Sequence, residues 1–279
     1  MGRSPGERVR QIETTVRDTV ELVQVTDCHI FADDEERLKG LNTRQSFAAV
    51  KESILRDNGN LDLLLLTGDL SQDGSAESYA YLAQQFNAIG LPTFWLPGNH
   101  DEVDVMQRHF TGKRIHAANQ ILAGAWQILM LDSTVAGEVH GRVSKSELEF
   151  MDAALQQYPH RHALVCLHHQ AVETGSAWID MKGLKDADRL RDRLIQHGNL
   201  RAVLWGHVHQ ETHTRINSIE WMSTPSSCVQ FKPGSRVFAI GLEAPGYRYI
   251  KLNPDGSIET RVHRVESFDF DIDYSKNGC

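Results

Sequence analysis

Short apolar runs alternate along this chain with longer stretches in which apolar residues return every three or four positions. The runs at residues 21–26, 61–67, 92–96, 126–132, 162–167 and 201–205 predict strands, and the one at 61–67 is apolar enough to predict full burial. Helical spacing predicts helices over 43–56, 76–89, 144–157 and 185–197. Beyond residue 205 the pattern changes to strand-like segments at 236–242, 247–252 and 258–263, joined by short turns. Alternating strands and helices followed by a run of strands point to a layered α/β domain with a mixed sheet or a pair of packed sheets. No Pro- or Ser-rich linker, internal repeat or low-complexity tract interrupts the pattern. One domain over residues 20–267 is the simplest account, with residues 1–19 a loose polar extension and 268–279 a loose acidic tail.

Composition narrows the function. A chain of 279 residues can bury roughly three quarters of its unfolded surface without disulfide support. The formal net charge of −8 argues against a nucleic-acid partner, so a small anionic substrate would need positive charge from a specific source such as bound metal. Residues 1–20 contain no apolar core of a secretory signal, and the longest apolar run, 63–66, is far too short to span a membrane. The four cysteines, Cys28, Cys166, Cys228 and Cys279, form no C-x-x-C pair, which suggests neither a disulfide framework nor a thiolate zinc site. The expectation is a reduced, cytoplasmic protein with no membrane partner.

Five segments share one feature: each places Asp, Asn or His at or just after the end of an apolar strand. They are Asp27 with Cys28 and His29; Gly68 with Asp69; Gly98 with Asn99, His100 and Asp101; the pair His168 and His169; and Gly206 with His207, Val208 and His209. Carboxyl ends of strands open onto the crevice where α/β sheets bind ligands, so five such ends can meet at one point. In extended backbone, residues i and i+2 share a face, which would aim Asp27 with His29 and His207 with His209 while Cys28 and Val208 turn into packing. Gly68, Gly98 and Gly206 directly precede polar residues and would permit tight turns and close backbone approach.

The potential ligands are Asp27, His29, Asp69, Asn99, His168, His207 and His209. Seven exceed one ordinary site, but two metals can share a carboxylate. Imidazole, carboxylate and amide donors without thiolate suit iron, manganese or zinc rather than calcium. Two such ions about 3.5–4 Å apart clamp the attacking and leaving oxygens of phosphoryl transfer. Two divalent ions offset by Asp27, Asp69 and a bridging hydroxide leave one positive charge, which complements a phosphodiester, although a monoester dianion is compatible too. Taken singly, a Gly-Asp is ordinarily a turn and a strand-end histidine ordinarily a packed one. Five segments in this order are hard to reconcile with incidental polarity.

With their spacing, D-x-H, GD, GNHD, a strand ending in HH, and GHVH resemble the motifs of the calcineurin-like metallophosphoesterases. They run from Asp27 to His209, about two thirds of the chain. The resemblance implies a four-layer αββα sandwich of two mixed β-sheets with a dinuclear site at the strand ends. It assigns Asp27, His29, Asp69 and His209 to one metal and Asp69, Asn99, His168 and His207 to the other, with Asp69 bridging. It also makes His100 a catalytic residue beside the metals, with Asp101 orienting it. His29, Asn99, His100, His168 and His209 would face the substrate. The choice of His168 over His169 follows the motif, since chemistry alone leaves both open.

The stretches VQVTDCHIF, LKGLNTRQS, TGDLSQD, WLPGNHD, WQILMLDS, LWGHVHQE and TPSSCVQFKP resemble the bacterial class III cyclic nucleotide phosphodiesterases. That likeness implies two divalent ions, Fe²⁺ or Mn²⁺ with Zn²⁺ also compatible, and 3′,5′-cyclic AMP as substrate. A bridging hydroxide would attack in line, and His100 would stabilise or protonate the leaving oxygen to give 5′-AMP. A homodimer is compatible with it. Two departures from relatives and one branch marker stand out. Cys28 stands where a small hydroxyl residue is usual. Gln170 and Ala171 follow the histidine pair where proline is common. Gln72 stands where purple acid phosphatases carry tyrosine, which argues against that branch. Trp178 and Asp180 could form a rim over the substrate, but Trp178 packing on its own loop is preferred. Asn42 with Gln45 reads as a helix N-cap in preference to a nucleotide contact. Alternative functions are a phosphoesterase for another substrate, such as cyclic GMP, 2′,3′-cyclic nucleotides or nucleotide diphosphates, and a non-catalytic binding module. Retention of all seven ligands and His100 disfavours the module.

Overall fold

The computed structural model describes residues 9–16, 18–57, 59–266 and 272–273. Among these, one sheet runs in the order Ile258–Arg264, Gly246–Leu252, Val20–Val25, Leu63–Thr67, Thr93–Leu96 and Ile115–His116. A second runs Val9–Ile12, Gln120–Ala123, Trp126–Met130, His162–Cys166, Leu200–Trp205, Ile219–Ser223 and Thr212–Ile216. Both are mixed. The centre of each is parallel, as helical crossovers require, and each carries antiparallel strands beside it.

Alternation within the strands builds the layers. Val20, Leu22, Leu63 and Leu65 face the other sheet and pack with Ile128, Met130, Leu164, Cys166, Ala202 and Leu204. The intervening Val23, Val25, Leu64 and Leu66 face Phe47, Val50 and Ile54 of helix Thr43–Asp57 and Tyr79, Leu82 and Phe86 of helix Ala76–Ile89. On the far side, Leu129, Val165 and Val203 pack under Leu148, Met151 and Leu155 of helix Lys145–Gln157 and Leu190 and Leu194 of helix Ala187–Leu194. This is the expected αββα sandwich, with one apolar layer between the sheets and another under each helical layer.

Three of the helices start at side-chain caps. Asn42 Oδ1 accepts from the Gln45 N–H at 3.0 Å, so Asn42 caps the first helix as expected. Ser75 and Ser144 cap helices Ala76–Ile89 and Lys145–Gln157 through the N–H groups of Ser78 and Glu147. Strand positions match the sequence pattern to within one or two residues, with one exception. Residues 236–242 are not a strand; a single bridge, Phe231 to Ile240, is their only ladder contact among the described residues, and Val237 and Leu242 stand exposed. A short apolar-polar run forms a strand only when a neighbouring strand accepts its backbone bonds.

The looseness expected of residues 1–19 is corrected in part. Val9–Ile12 pairs in parallel with Gln120–Ala123 and lies at the edge of the larger sheet. Of the expected acidic tail, most lies outside the described residues; Ile272 packs against the cluster of Leu41, Cys228 and Val229, and the Asp273 N–H donates to the Lys39 carbonyl. No helix among the described residues is long and apolar enough to cross a membrane.

Candidate metal centre

The face between the sheets changes character toward the carboxyl ends of the central strands. Along one strand the positions facing the other sheet run from Val20 and Leu22 to Gln24, whose amide donates to Thr67 Oγ1 at 2.6 Å and to the Trp205 carbonyl at 3.1 Å. Gln24 thus ties three neighbouring strand ends together just below the site. Next comes Thr26, whose hydroxyl donates to Asp27 Oδ2 at 2.7 Å. From there the backbone leaves the extended region. Asp27, His29, Asp69, His207 and His209 all have positive φ, between 46° and 65°.

Extended alternation, expected to aim these side chains, is therefore not what aims them. Left-handed turns do, a conformation that Asp and His tolerate better than branched residues but that still stores strain. The turns are held by cross-links between loops: Asp27 N–H to the Gly68 carbonyl, His29 N–H to the Asp69 carbonyl, and His207 N–H to both oxygens of Asp27. Two glycines make the close approach feasible. A Cβ on Gly98 would run into the Asp69 carboxylate, and one on Gly206 into Thr26 and Asp27. Cys28 and Val208 are fully buried in apolar packing, as expected.

All seven expected ligands meet. His209 Nε2 lies 3.3 Å from Asp27 Oδ1 and 3.2 Å from His29 Nε2. His168 Nε2 lies 3.3 Å from Asp69 Oδ2 and 3.2 Å from Asn99 Oδ1. Asp69 Oδ2 stands between the two groups, 3.8 Å from His29 Nε2. The His207 ring is 5.0 Å from that of His168.

Three of the four imidazoles are oriented the same way. The Nδ1–H of His29 donates to Gln72 Oε1, that of His168 to the Thr67 carbonyl and that of His209 to the Val229 carbonyl, each at 2.7 Å. Each bond leaves Nε2 with its lone pair toward the cluster, the arrangement a metal requires of a histidine ligand. Nε2 of the fourth, His207, is buried with no hydrogen-bond partner among the described residues. A buried nitrogen without a partner, on a ring packed against those of His168 and His169, is one that a bound cation would satisfy.

Ionisation behaviour agrees. Burial pushes Asp69 up, but the charge and hydrogen bond of His168 outweigh it and hold the carboxylate well below its usual range. Burial takes His29 down to about 3 and His207 well below its ordinary value, so both are neutral donors. Burial also lowers His168, but Asp69 reverses this and lifts it to about 9, so a cation bound there must displace its proton.

The structure separates His168 from His169. Ring nitrogens of His169 meet Ser133 Oγ at 2.9 Å and the Val139 carbonyl at 3.2 Å, so both are engaged away from the carboxylates. Asp101 requires a correction. Its carboxylate accepts from the N–H groups of Gly98, Leu70 and Ser71 and from the Tyr79 hydroxyl, at 2.9 to 3.2 Å. It clamps the two loops that carry Asp69 and Asn99 and does not orient His100. Burial, then the charge of Asp69, raises it to about 6. The residue that meets the His100 ring is Gln72, whose Nε2 lies 3.2 Å from His100 Nδ1.

Sequence reading noted Gln72 only as the absence of a tyrosine, though its place three residues after Asp69 was the available signal. It missed Phe231, which stacks on His209 at 4.0 Å and 7°. Trp178 packs against Phe231 and Phe238, which belong to a distant segment and not to its own loop as expected, and Asp180 accepts from Thr174 and Gly175 within its own loop. Backbone acceptors such as the Val229 carbonyl leave no trace in residue identity.

Comparison with known proteins places this geometry among relatives. The sequence profile of the calcineurin-like phosphoesterases matches residues 21–211. A 3′,5′-cyclic adenosine monophosphate phosphodiesterase of Haemophilus influenzae is 38% identical over 263 residues, covering 94% of this chain and 96% of its own. One from Pseudomonas aeruginosa is 40% identical over 261 residues, covering 93% and 95%. Among solved structures, a dimetal phosphatase from Danio rerio shares the fold with a TM-score of 0.57 at 13% identity, over 88% of this chain and 99% of that one.

Proposed function

Because the chain belongs to the calcineurin-like phosphoesterase family, we infer that it hydrolyses 3′,5′-cyclic AMP to 5′-AMP and so lowers cellular cyclic AMP. The observation that carries the substrate is the extent of the likeness. Identity of 38–40% to cyclic AMP phosphodiesterases spans more than nine tenths of both chains, far beyond what the metal motifs alone could supply.

Asp27, His29, Asp69 and His209 would hold one divalent ion and Asp69, Asn99, His168 and His207 a second, with Fe²⁺ or Mn²⁺ suited to the nitrogen and oxygen donors. When bound, the pair supplies Lewis-acid activation of water and neutralises charge on the phosphoryl oxygens. The remaining work belongs to the chain. Asp69, reached by both groups of imidazoles, keeps the two halves of the site in register. Asn99 and His100 follow a strand end on the open side and face the phosphoryl group with His29, His168 and His209. His100 is the catalytic residue that meets the leaving 3′ oxygen. Asp101 holds the loop carrying His100 against the loop carrying Asp69.

The test is hydrolysis of cyclic AMP by metal-free protein reloaded with Mn²⁺ or Fe²⁺, with Asp69→Ala as control and the products resolved as 5′-AMP or 3′-AMP. Metal-dependent 5′-AMP, absent in the control, is the expected outcome. Turnover of an aryl phosphodiester alone would keep the phosphoesterase and remove cyclic AMP as its substrate.

A further inference from the structure

We propose that Arg248, Thr224 and Gln24 are positioning residues: a one-way chain of hydrogen bonds through them pins the two sheets in register and so sets how the two halves of the metal centre meet. The proposal rests on the two-ion reading above and adds what holds that site to its geometry.

The candidate ligands come from both sides of the gap between the sheets. Asp27, His29, Asp69 and Asn99 follow strands Val20–Val25, Leu63–Thr67 and Thr93–Leu96 of one sheet. His168, His207 and His209 follow His162–Cys166 and Leu200–Trp205 of the other. Each assigned ion therefore draws donors from both sheets, and a slip of one sheet over the other would disturb both. Most of the layer between them cannot prevent a slip. It is built of Leu22, Leu63, Leu65, Met130, Leu164 and Leu204 among others, and apolar contact has no preferred direction along a strand.

One polar chain crosses that layer and returns. Arg248, on strand Gly246–Leu252, donates from Nη2 to the carbonyls of Ser223 at 2.7 Å and Thr212 at 3.4 Å, both on the opposite sheet. Its Nη1 reaches Thr260 Oγ1 at 3.1 Å and its Nε reaches Thr224 Oγ1 at 3.3 Å. The Thr224 hydroxyl donates to Gln24 Oε1, back on the first sheet. Gln24 Nε2 then donates to Thr67 Oγ1 at 2.6 Å and, across the gap again, to the Trp205 carbonyl at 3.1 Å. A guanidinium only donates, so Thr224 accepts from it and passes its own hydrogen on, and the amide is left with one orientation. Arg248 is 2% exposed and Gln24 and Thr224 0%, so water does not stand in for any of these bonds.

The chain ends close beneath the ligands. Gln24, Thr67 and Trp205 precede Asp27, Asp69 and His207 by no more than three residues. Just above it, Ser226 Oγ donates to the Asp27 carbonyl at 2.7 Å and the Ser227 N–H to the Thr26 carbonyl at 3.1 Å. Arg248 is a cation buried among neutral acceptors, lowered by that burial to about 10 and so still charged at neutral pH. Stability alone does not call for it, because buried charged groups can often be replaced by apolar side chains of similar volume without loss. What the guanidinium adds is direction: its planar fork engages two strands of the opposite sheet at once.

The test is Mn²⁺ titration of the full chain, with low-temperature electron paramagnetic resonance of the fully loaded protein to read the exchange coupling between the two ions. Thr224→Val and Arg248→Met should each lower Mn²⁺ affinity about 10- to 100-fold and shift the coupled spectrum. Thr224→Ser, which keeps the hydroxyl, should match wild type, and the double variant should be no worse than either single one. Should Arg248→Met fail to fold, the nearly isosteric Thr224→Val decides alone. Wild-type affinity and spectrum in Thr224→Val overturn the proposal. So do an affinity loss with an unshifted spectrum at full loading, a loss shared equally by Thr224→Ser, and losses that simply add in the double variant. Wild-type protein that binds a single Mn²⁺ removes the two-ion reading and the proposal with it. A coupled pair in protein that does not turn over cyclic AMP defeats the substrate reading and leaves the register result standing.

Discussion

The floor of the site and the loop beside it are built on opposite terms. On the floor, five chemistry-bearing residues adopt positive φ, and carboxylates and histidines crowd in groups whose ligand atoms lie within 4.8 Å of one another; a buried nitrogen without a partner among the described residues occurs in both regions, on His207 and on the Trp178 indole. The neighbouring wall is apolar aromatic packing: Trp178, Phe231 and Phe238 meet with centroids 4.9 to 5.5 Å apart, and beyond them Val237 and Leu242 stand in solvent. The floor holds left-handed turns and crowded donors; the wall packs against it through the face of Phe231 on His209. One region is arranged for function against stability and the other for stability.

That division can be broken at several points. The largest expected effect is at His100→Ala, which should reduce cyclic AMP turnover about 10²–10⁴-fold while metal content is unchanged; loss of metal with an intact rate per metal would remove the residue from the chemistry. Trp178→Ala should lower stability by about 3 kcal/mol in denaturant titration, with metal affinity falling only as far as Phe231 loosens its hold on His209. His207→Leu is the sharpest probe of the contrast. Removing the orphan nitrogen should raise the stability of the metal-free protein by about 1 kcal/mol while metal binding is impaired, and a destabilised metal-free variant would show that the floor is not strained there. Leu242→Ser, 82% exposed, should change stability by less than about 0.5 kcal/mol and leave metal uptake unaltered.

Much of the fold was legible because buried strands and one-sided helices impose periods that solvent cannot hide. The runs at 61–67 and 162–167 correspond to strands Leu63–Thr67 and His162–Cys166, and Asn42 with Gln45 marked a real helix start. The clustering of the seven candidate ligands was legible because each stands at or shortly after a strand end. Reading failed where residues act through partners distant in sequence. Residues 236–242 found no strand to pair with, Val9–Ile12 found one more than a hundred residues away, and Asp101 spends its oxygens on three N–H groups and a tyrosine brought together only by folding.

The sequence by itself determined which side chains could bind metal and that the strands carrying them would be buried, because donor chemistry and hydrophobic period are properties of residues in order. Only the tertiary structure decided how those side chains are aimed. Left-handed turns replaced extended alternation, carbonyls of Thr67 and Val229 chose the tautomers of His168 and His209, and Gln72 joined His29 to His100. Hydrogen-bond direction depends on where an acceptor lies in space, and for these rings the acceptors come from other loops and strands of the fold.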